Sequence, residues 1–461
     1  MSGPSNPCSL LARSHARAAK VAPGSGTSLR PLTLGSFSGM ARGRVFVDLG
    51  PLRHSQAFRR LWAGYLVTTL GSQLTVVAIP YQVFRLTHSS LDVGLVGLAQ
   101  IIPVLAGSLF GGSIADAVDR RRLLLVTQLS LAACSIGLAL NSTGVHVALW
   151  PLYALSALGS GVSSIDSPTR SAVLATLVGR PMFASANALW QLLFQVGQVA
   201  GPAIAGLLLG QVDIASVYWI DAATFAVSIL AVASLPALRP PGGGTRFGLG
   251  SIAEGLGYLK GRPVLQGTFV VDLNAMVLGM PRALFPALAL VRFHGGAETV
   301  GLLYSAPGAG ALVGALLTGW VVAVRKQGRA VLVAVTIWGA AIAAFGLVPW
   351  LAAALGLLAL AGAADVVSAV FRGTILQLEA PESLRGRLSS VHTAVVTGGP
   401  RLGDFEAGAI AAVSTPQISV VSGGLGCLVG VALVSRFMPR FARYDTSDVE
   451  GLGPPAAGVA G

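Results

Sequence analysis

Two kinds of residue in this chain have the types and spacing for chemistry. The first is a carboxylate set one helical turn from cations: Gly112, Asp116 and Arg120 follow at steps of four, and Arg121 and Arg122 extend the basic run. Asp116 shares a helix face with Gly112. Near a helix end it accepts hydrogen bonds from a neighbouring N-terminus or pairs with a basic group, and a pairing made in only one conformation biases one state over another. The spacing predicts a conformational latch of Gly112, Asp116, Arg120 and Arg121, in which Gly112 lets neighbouring backbones approach. The second kind is the carboxylate stranded in apolar sequence: Asp272, Asp365 and Glu406. Ionisable groups in such surroundings mark proton or ion pathways, and an unpaired one keeps its proton more tightly. Arg282 lies ten residues beyond Asp272, about 15 Å of helix rise and too far for a pair. Asp272 therefore stands first as a proton-coupling residue, followed by Asp365 and Glu406.

Other polar residues read as cavity lining or as structural pairs. Gln191, Gln195 and Gln198 share one helix face, and three amides facing lipid are costly, so they line a cavity. Trp190, with Phe194 one turn on, offers a flat surface to an apolar ligand. Asn274, Arg401 and Asp404 complete the cavity candidates. Arg401 and Asp404 at i+3 neutralise one another and leave Glu406 as the unmatched acid; Asp166 and Arg170 at i+4 pair likewise. Asp221, beside Trp219, reads equally well as a packing anchor. Nothing forms an enzyme site. Cys8, Cys134 and Cys427 have neither metal nor disulfide spacing, so no metal or cofactor is expected. A phosphate-binding Gly-x-x-x-x-Gly-Lys-Ser/Thr is missing, so an ion gradient rather than ATP supplies the energy.

The elements that position these residues are membrane helices. The chain is 53% hydrophobic and 11% charged, with a mean hydropathy of +0.73, whereas soluble domains carry roughly 25% charged residues. Apolar runs long enough to cross a hydrocarbon core of about 30 Å recur along the chain. The alternation of an outer-membrane barrel is missing. The pattern predicts an all-α membrane protein of twelve transmembrane helices near 61–84, 91–115, 123–141, 148–168, 186–209, 214–236, 264–290, 298–322, 329–348, 350–372, 388–412 and 417–436. Pro240-Pro241-Gly242-Gly243-Gly244 marks one linker. The domains are then a basic disordered extension over 1–51, a six-helix bundle over 52–236, a cytoplasmic linker over 237–263, a second bundle over 264–436 and a disordered tail over 437–461. Lys and Arg crowd alternate loops, from Arg120–Arg122 to Arg440 and Arg443, while the opposite loops hold Arg85 and Arg292. Cationic loops stay inside, so both termini are cytoplasmic. The net charge of +13 is then inner-leaflet anchoring and implies no nucleic acid. Residues 1–47 carry six Lys or Arg and no acid, and the working start is either Met1 or Met40.

The bundles are copies of one unit. At an offset of 207, Val93-Gly94-Leu95 meets Val300-Gly301-Leu302, Gly112 meets Gly319 and Arg122 meets Arg329, whereas Asp116 meets Ala323. Such parallel repeats rock about a central site.

Repeats, central linker and the Gly112-x-x-x-Asp116-x-x-x-Arg120-Arg121 signature together resemble the major facilitator superfamily over roughly residues 52–440. Gly197, Gly201, Pro202 and Gly206 resemble the family's antiporter motif, which implies export. Thr299-Val300-Gly301-Leu302-Leu303-Tyr304, Ala380-Pro381-Glu382-Ser383-Leu384-Arg385-Gly386-Arg387 and Gly398-Gly399-Pro400-Arg401-Leu402-Gly403-Asp404 are similar to its drug and siderophore exporter branch. The resemblance implies a monomeric, proton-coupled exporter of amphipathic small molecules, working by alternating access in a bacterial cytoplasmic membrane. The alternatives are an importer of the same fold and a non-transporting scaffold or sensor.

Overall fold

Capping residues start the helices, some of them several residues ahead of the apolar runs. The Ser55 hydroxyl accepts from Phe58 N–H and the Ser89 hydroxyl from Asp92 N–H. The Asp119 carboxylate accepts from the N–H groups of Arg121 and Arg122, Asp213 from Ser216 N–H, and Thr415 from Ile418 N–H. Each satisfies a donor that the first turn of a helix leaves free. The computed structural model describes residues 48–238, 254, 257–381 and 384–447. The basic extension up to 47, most of the linker and the tail after 447 lie outside the described residues.

We number the long helices α1 (Gln56–Thr87), α2 (Ser90–Ala117), α3 (Arg120–Thr143), α4 (149–178), α5 (Pro181–Gln211), α6 (Ile214–Ala233), α7 (Pro263–Leu278), α8 (Ala297–Leu316), α9 (Gln327–Leu347), α10 (Leu351–Glu379), α11 (Arg385–Val413) and α12 (Pro416–Phe437). Among the described residues, ten spans are long and apolar enough to cross a membrane, one of them Pro263–Arg292. The other two long helices, α4 and α11, carry the charge: Asp166 and Arg170 on one, Arg401, Asp404 and Glu406 on the other. Between α4 and α5 the chain turns at Gly179, whose φ of 69° is the left-handed region that suits glycine. Leu174 and Val178 before the turn pack with Ala186 and Leu189 after it.

Two expected spans are shorter than read. The helix expected at 298–322 ends at Leu316 and tightens into a 3-10 turn over Thr318–Ala323. The helix expected at 264–290 stops at Leu278, and its continuation is a 3-10 turn, Arg282–Leu284, a short α turn and a π turn, Leu288–Arg292. Pro281 explains the break, since it lacks an N–H and excludes continuous helix. An interrupted span survives in a membrane only if its freed backbone groups find partners in the protein. Here Trp338 Nε1 donates to Gly279 O at 2.8 Å, Tyr304 OH donates to Arg282 O at 3.0 Å, and Ala283 N–H donates to Asp404 Oδ1 at 3.0 Å. Helices α9, α8 and α11 thus each hold one bond of the break.

Helices α1 to α6 pack mainly among themselves, as do α7 to α12, and α2 on α11 and α5 on α8 join the two sets. The joins are made backbone to backbone. A Cβ on Gly94 would stand 2.6 Å from Asp404 O, and one on Gly301 would stand 2.5 Å from Pro202 O and 2.7 Å from Gly206 Cα. Gly94 and Gly301 are equivalent in the repeat, so the same glycine makes each half's approach to the other. Gly408 against Ser90 O and Gly210 against Glu298 continue the contacts toward the turns at 88–89, 212–213, 293–296 and 414–415. At the opposite end, Gly112 and its equivalent Gly319 have nothing within 4 Å of a modest side chain's first carbon.

Candidate transport site

Charge inside the helices collects in two places. In the first six helices, Asp166 and Arg170 form the expected ion pair on α4, and both are buried. Asp166 Oδ1 also accepts from Thr127 Oγ1 at 2.6 Å and Gln128 Nε2 at 3.0 Å on α3. The Arg170 guanidinium lies 4.1 Å over the Tyr65 ring, which stacks on Trp190 at 4.3 Å between centroids. Trp190 was expected to offer a free face to a ligand; one of its faces is instead covered by Tyr65. Nearby, Asp221 is a packing anchor, accepting from Thr75 at 2.6 Å and Ser135 at 2.7 Å.

The second place gathers Asp272 from α7, Asp365 and Arg372 from α10, and His392 from α11. Arg372 Nη1 is 2.8 Å from Asp272 Oδ1 and Nη2 is 3.5 Å from Asp365 Oδ1. His392 Nε2 lies 3.9 Å from Asp272 Oδ2. Asp272 and Asp365 were expected to be unpaired, and both share Arg372. Arg282, the cation next along from Asp272, is too far from it; the partner comes from another helix. Arg372 and His392 are not among the residues that the sequence singles out. Both are basic residues within long helices, but nothing in their spacing ties them to Asp272 about a hundred residues upstream.

Arg401 and Asp404 do not neutralise one another as expected. Arg401 Nε donates across the join to Gln100 Oε1 of α2 at 3.1 Å and Nη1 donates to Thr397 O at 2.5 Å. Asp404 is occupied with the break after α7. The i+3 spacing permits a pair, but each side chain meets a stronger demand, a bridging amide for one and a free backbone donor for the other. Glu406, on the same helix, has no hydrogen bond or ion pair among the described residues and is half-buried. Asn274 faces α12 rather than a cavity: its Nδ2 donates to Cys427 O at 3.0 Å, and Gly430 leaves room for it.

On α5 the glycines serve two partners. Gly197 takes Thr69 and Gly201 takes Gln73, both of α1, while Pro202 O and Gly206 meet Gly301 of α8. Gln73 Nε2 donates to Gln198 Oε1 at 2.8 Å, Gln195 is half-buried and Gln191 is exposed.

The Asp116 motif lies wholly among the first six helices. Asp116 pairs with Arg120 of its own motif at 3.4 Å. Arg120 reaches Ala172 O and Thr176 Oγ1 of α4 at 3.5 Å each, and Arg121 Nη2 donates to Ala233 O at the end of α6, where a cation meets the negative end of the helix dipole. Gly112 does not provide the expected close approach. Its neighbour Gly111 does, with a Cβ there standing 2.9 Å from Ile165 Cα of α4.

An all-helical chain with breaks and buried charge at the centre of its spans has the build of a carrier rather than an enzyme. Residues 47–455 match the transmembrane secretion effector family, and the chain belongs to it, a branch of the major facilitator superfamily of secondary transporters. It is 30% identical over 406 residues to the enterobactin exporter EntS of Citrobacter koseri, covering 88% of this chain and 97% of that one. The enterobactin exporter EntS of Shigella boydii is 31% identical over 389 residues, 84% of this chain and 93% of the relative. The fold is shared with the nucleoside transporter NupG, at a TM-score of 0.68 and 11% identity, covering 84% of this chain and 99% of that one. A bacterial homologue of the iron transporter ferroportin in its inward-facing state gives a TM-score of 0.65 at 14% identity, with coverage of 84% and 98%. The protein is therefore a multi-pass membrane transporter of small molecules.

Proposed function

We propose that the chain exports an amphipathic, siderophore-like molecule across the bacterial cytoplasmic membrane in exchange for protons, working as a monomer with both termini cytoplasmic. The observation that carries this reading is the likeness to enterobactin exporters over nearly the whole of both chains. The bundles 52–236 and 264–436, joined by the linker 237–263, are the units that rock. With the cationic loops inside, the end drawn together by Gly94 and Gly301 is the outer one, and the conformation is inward-facing. In that state the latch is open. Asp116 holds Arg120 within its own half, and closing the inner end brings it against the second half, where Gly112 has the free space that a closing helix needs.

Proton coupling falls to the buried acids Asp272 and Asp365, with Glu406 as the third candidate. The antiporter-like Gly197, Gly201, Pro202 and Gly206 seal the outer end by letting α5 lie on α1 and α8 at once. The test uses inverted membrane vesicles holding the protein, a pH gradient and labelled enterobactin. Uptake that consumes the gradient is expected. Efflux from the same vesicles would mark an importer, and flux indifferent to the gradient would sink the coupled reading. Asp116→Asn is expected to lower the rate at least tenfold with membrane insertion intact; a normal rate would remove the latch.

A further inference from the structure

The group formed by Asp272, Asp365, Arg372 and His392 cannot be neutral as it stands. Two carboxylates and one guanidinium sum to −1 when the imidazole is uncharged, and the sum reaches zero with one proton added. Buried, uncompensated charge is strongly unfavourable, so a group of this composition tends to hold that proton. The sum is that of the group itself. Helix α7 contributes Asp272; α10 contributes Asp365, Arg372 and the buried hydroxyl of Ser368; α11 contributes His392. Helices α8, α9 and α12 carry their charges at their ends, as Glu298, Arg329 and Arg436, and Tyr304 of α8 is engaged with Arg282 O. Arg282, in the break after α7, is the next cation along the chain from Asp272, and no ion pair joins it to the group among the described residues.

The two carboxylates are not equivalent. Asp272 is 1% exposed and lies 2.8 Å from the guanidinium; Asp365 is 29% exposed and lies 3.5 Å away. Asp272 is the tightly held, enclosed acid. The loosely held one is the more accessible of the two, although its Oδ1, beside the guanidinium, is enclosed. His392 is 37% exposed and sits on α11. That helix also bears Arg401, bonded to α2 of the other half, and Asp404, bonded to the break in α7. Any rocking that separates α2 from α11 therefore pulls on the helix that places the imidazole beside Asp272.

We propose that this group is a single-proton site in which Asp365 binds and releases the proton, Arg372 stays paired with Asp272, and His392 ties the site to movement of α11. The proposal rests on the proton-coupled reading above and names the residues that carry it. The proton passes from water to an Asp365 oxygen and returns by the same carboxyl; Arg372 shifts its hold toward Asp272 as the proton arrives.

The test is infrared titration of the full-length protein in lipid, with carbon-13 in its aspartates, without any cargo. Acidification is expected to raise one protonated-carboxyl band that is missing in Asp365→Asn and intact in Glu406→Gln. In Asp272→Asn the freed guanidinium turns to Asp365, and the band moves to lower pH. In His392→Gln a competing proton acceptor is lost, and it moves to higher pH. In Arg372→Gln both acids must be neutralised, so the band is roughly doubled. An unchanged band in Asp365→Asn would overturn the proposal, and where that variant does not fold, an unchanged band in Arg372→Gln does the same. The expected band in a protein that moves no labelled enterobactin would leave the proton site standing and remove the export reading. Proton-driven flux that survives Asp365→Asn would do the reverse.

Discussion

The two ionic groups within the helices, one in each half, are built to opposite rules. On α4, one carboxylate meets one guanidinium, and hydroxyl, amide and aromatic partners from α1 and α3 surround them. Charge balances without a proton from outside. On α7, α10 and α11, two carboxylates share one guanidinium, and neither Asp272 oxygen has a well-directed hydrogen bond. The first arrangement has the build of a strut, and the second is the one we propose as a site that changes charge. Both halves of the repeat hold charge within their helices, balanced in one half and unbalanced in the other. The latch divides the halves in the same way, because Asp116 has Ala323 as its counterpart.

This contrast makes graded predictions. The largest concerns the strut. Arg170→Gln leaves Asp166 buried without its cation, and a loss of about 3–5 kcal/mol in stability is expected, read from thermal unfolding in detergent. Asp365→Asn relieves an excess of negative charge, so it should leave the unfolding temperature unchanged or raise it while removing proton-driven flux. Equal destabilisation by both variants would break the contrast between strut and switch.

Next comes the backbone join. Gly301→Val places methyl groups where Pro202 O and Gly206 already lie, so α5 and α8 must part. Flux should fall at least tenfold, and a cysteine introduced at the end drawn together by Gly94 and Gly301 should react more readily with a thiol reagent. Gly112→Ala, in open space in this state, should leave accessibility there unaltered and act only through the rate.

The smallest effect is expected at Asp213, an acid outside the spans. The Ser216 hydroxyl and N–H hold its carboxyl below the usual carboxylate range. A depressed folded value contributes stability that is present above the ordinary carboxylate range and fades as pH falls through the depressed value. Asp213→Ala should therefore lower the unfolding temperature slightly at neutral pH and by less in acid. A penalty that grows on acidification would contradict the capping role.

Much of this architecture was legible from the chain. Apolar length located the spans, because the hydrocarbon core fixes how long a helix must be, but not all their ends: the helix expected at 148–168 runs on to 178 and the one at 350–372 to Glu379. The span ends were less sharp: Ser55, Asp119 and Pro181 start their helices several residues before the apolar runs begin, since caps and prolines rather than hydropathy decide where helix starts. The Asp166–Arg170 pair was readable because both partners lie one turn apart on one helix. Asp272 with Arg372, Arg401 with Gln100 and Asp404 with Ala283 were not readable, since each joins helices far apart in sequence. The break at Gly279–Pro281 carried a warning in its proline, but six other spans also contain a proline and stay helical. What distinguishes this one is that Trp338, Tyr304 and Asp404 arrive from three other helices to take up its backbone groups.

That the protein is a membrane carrier of two repeated halves is readable along the chain, because hydropathy, loop charge and self-similarity are properties of its residues in order. Which charges within the helices answer one another follows only from how the helices pack. A carboxylate in a bilayer is neutralised by whichever group lies within a few ångströms, and that neighbour is chosen by helix packing. Thus Asp272 changed from a lone acid to the fixed half of a shared pair, and Gly112 from a packing contact to an open space.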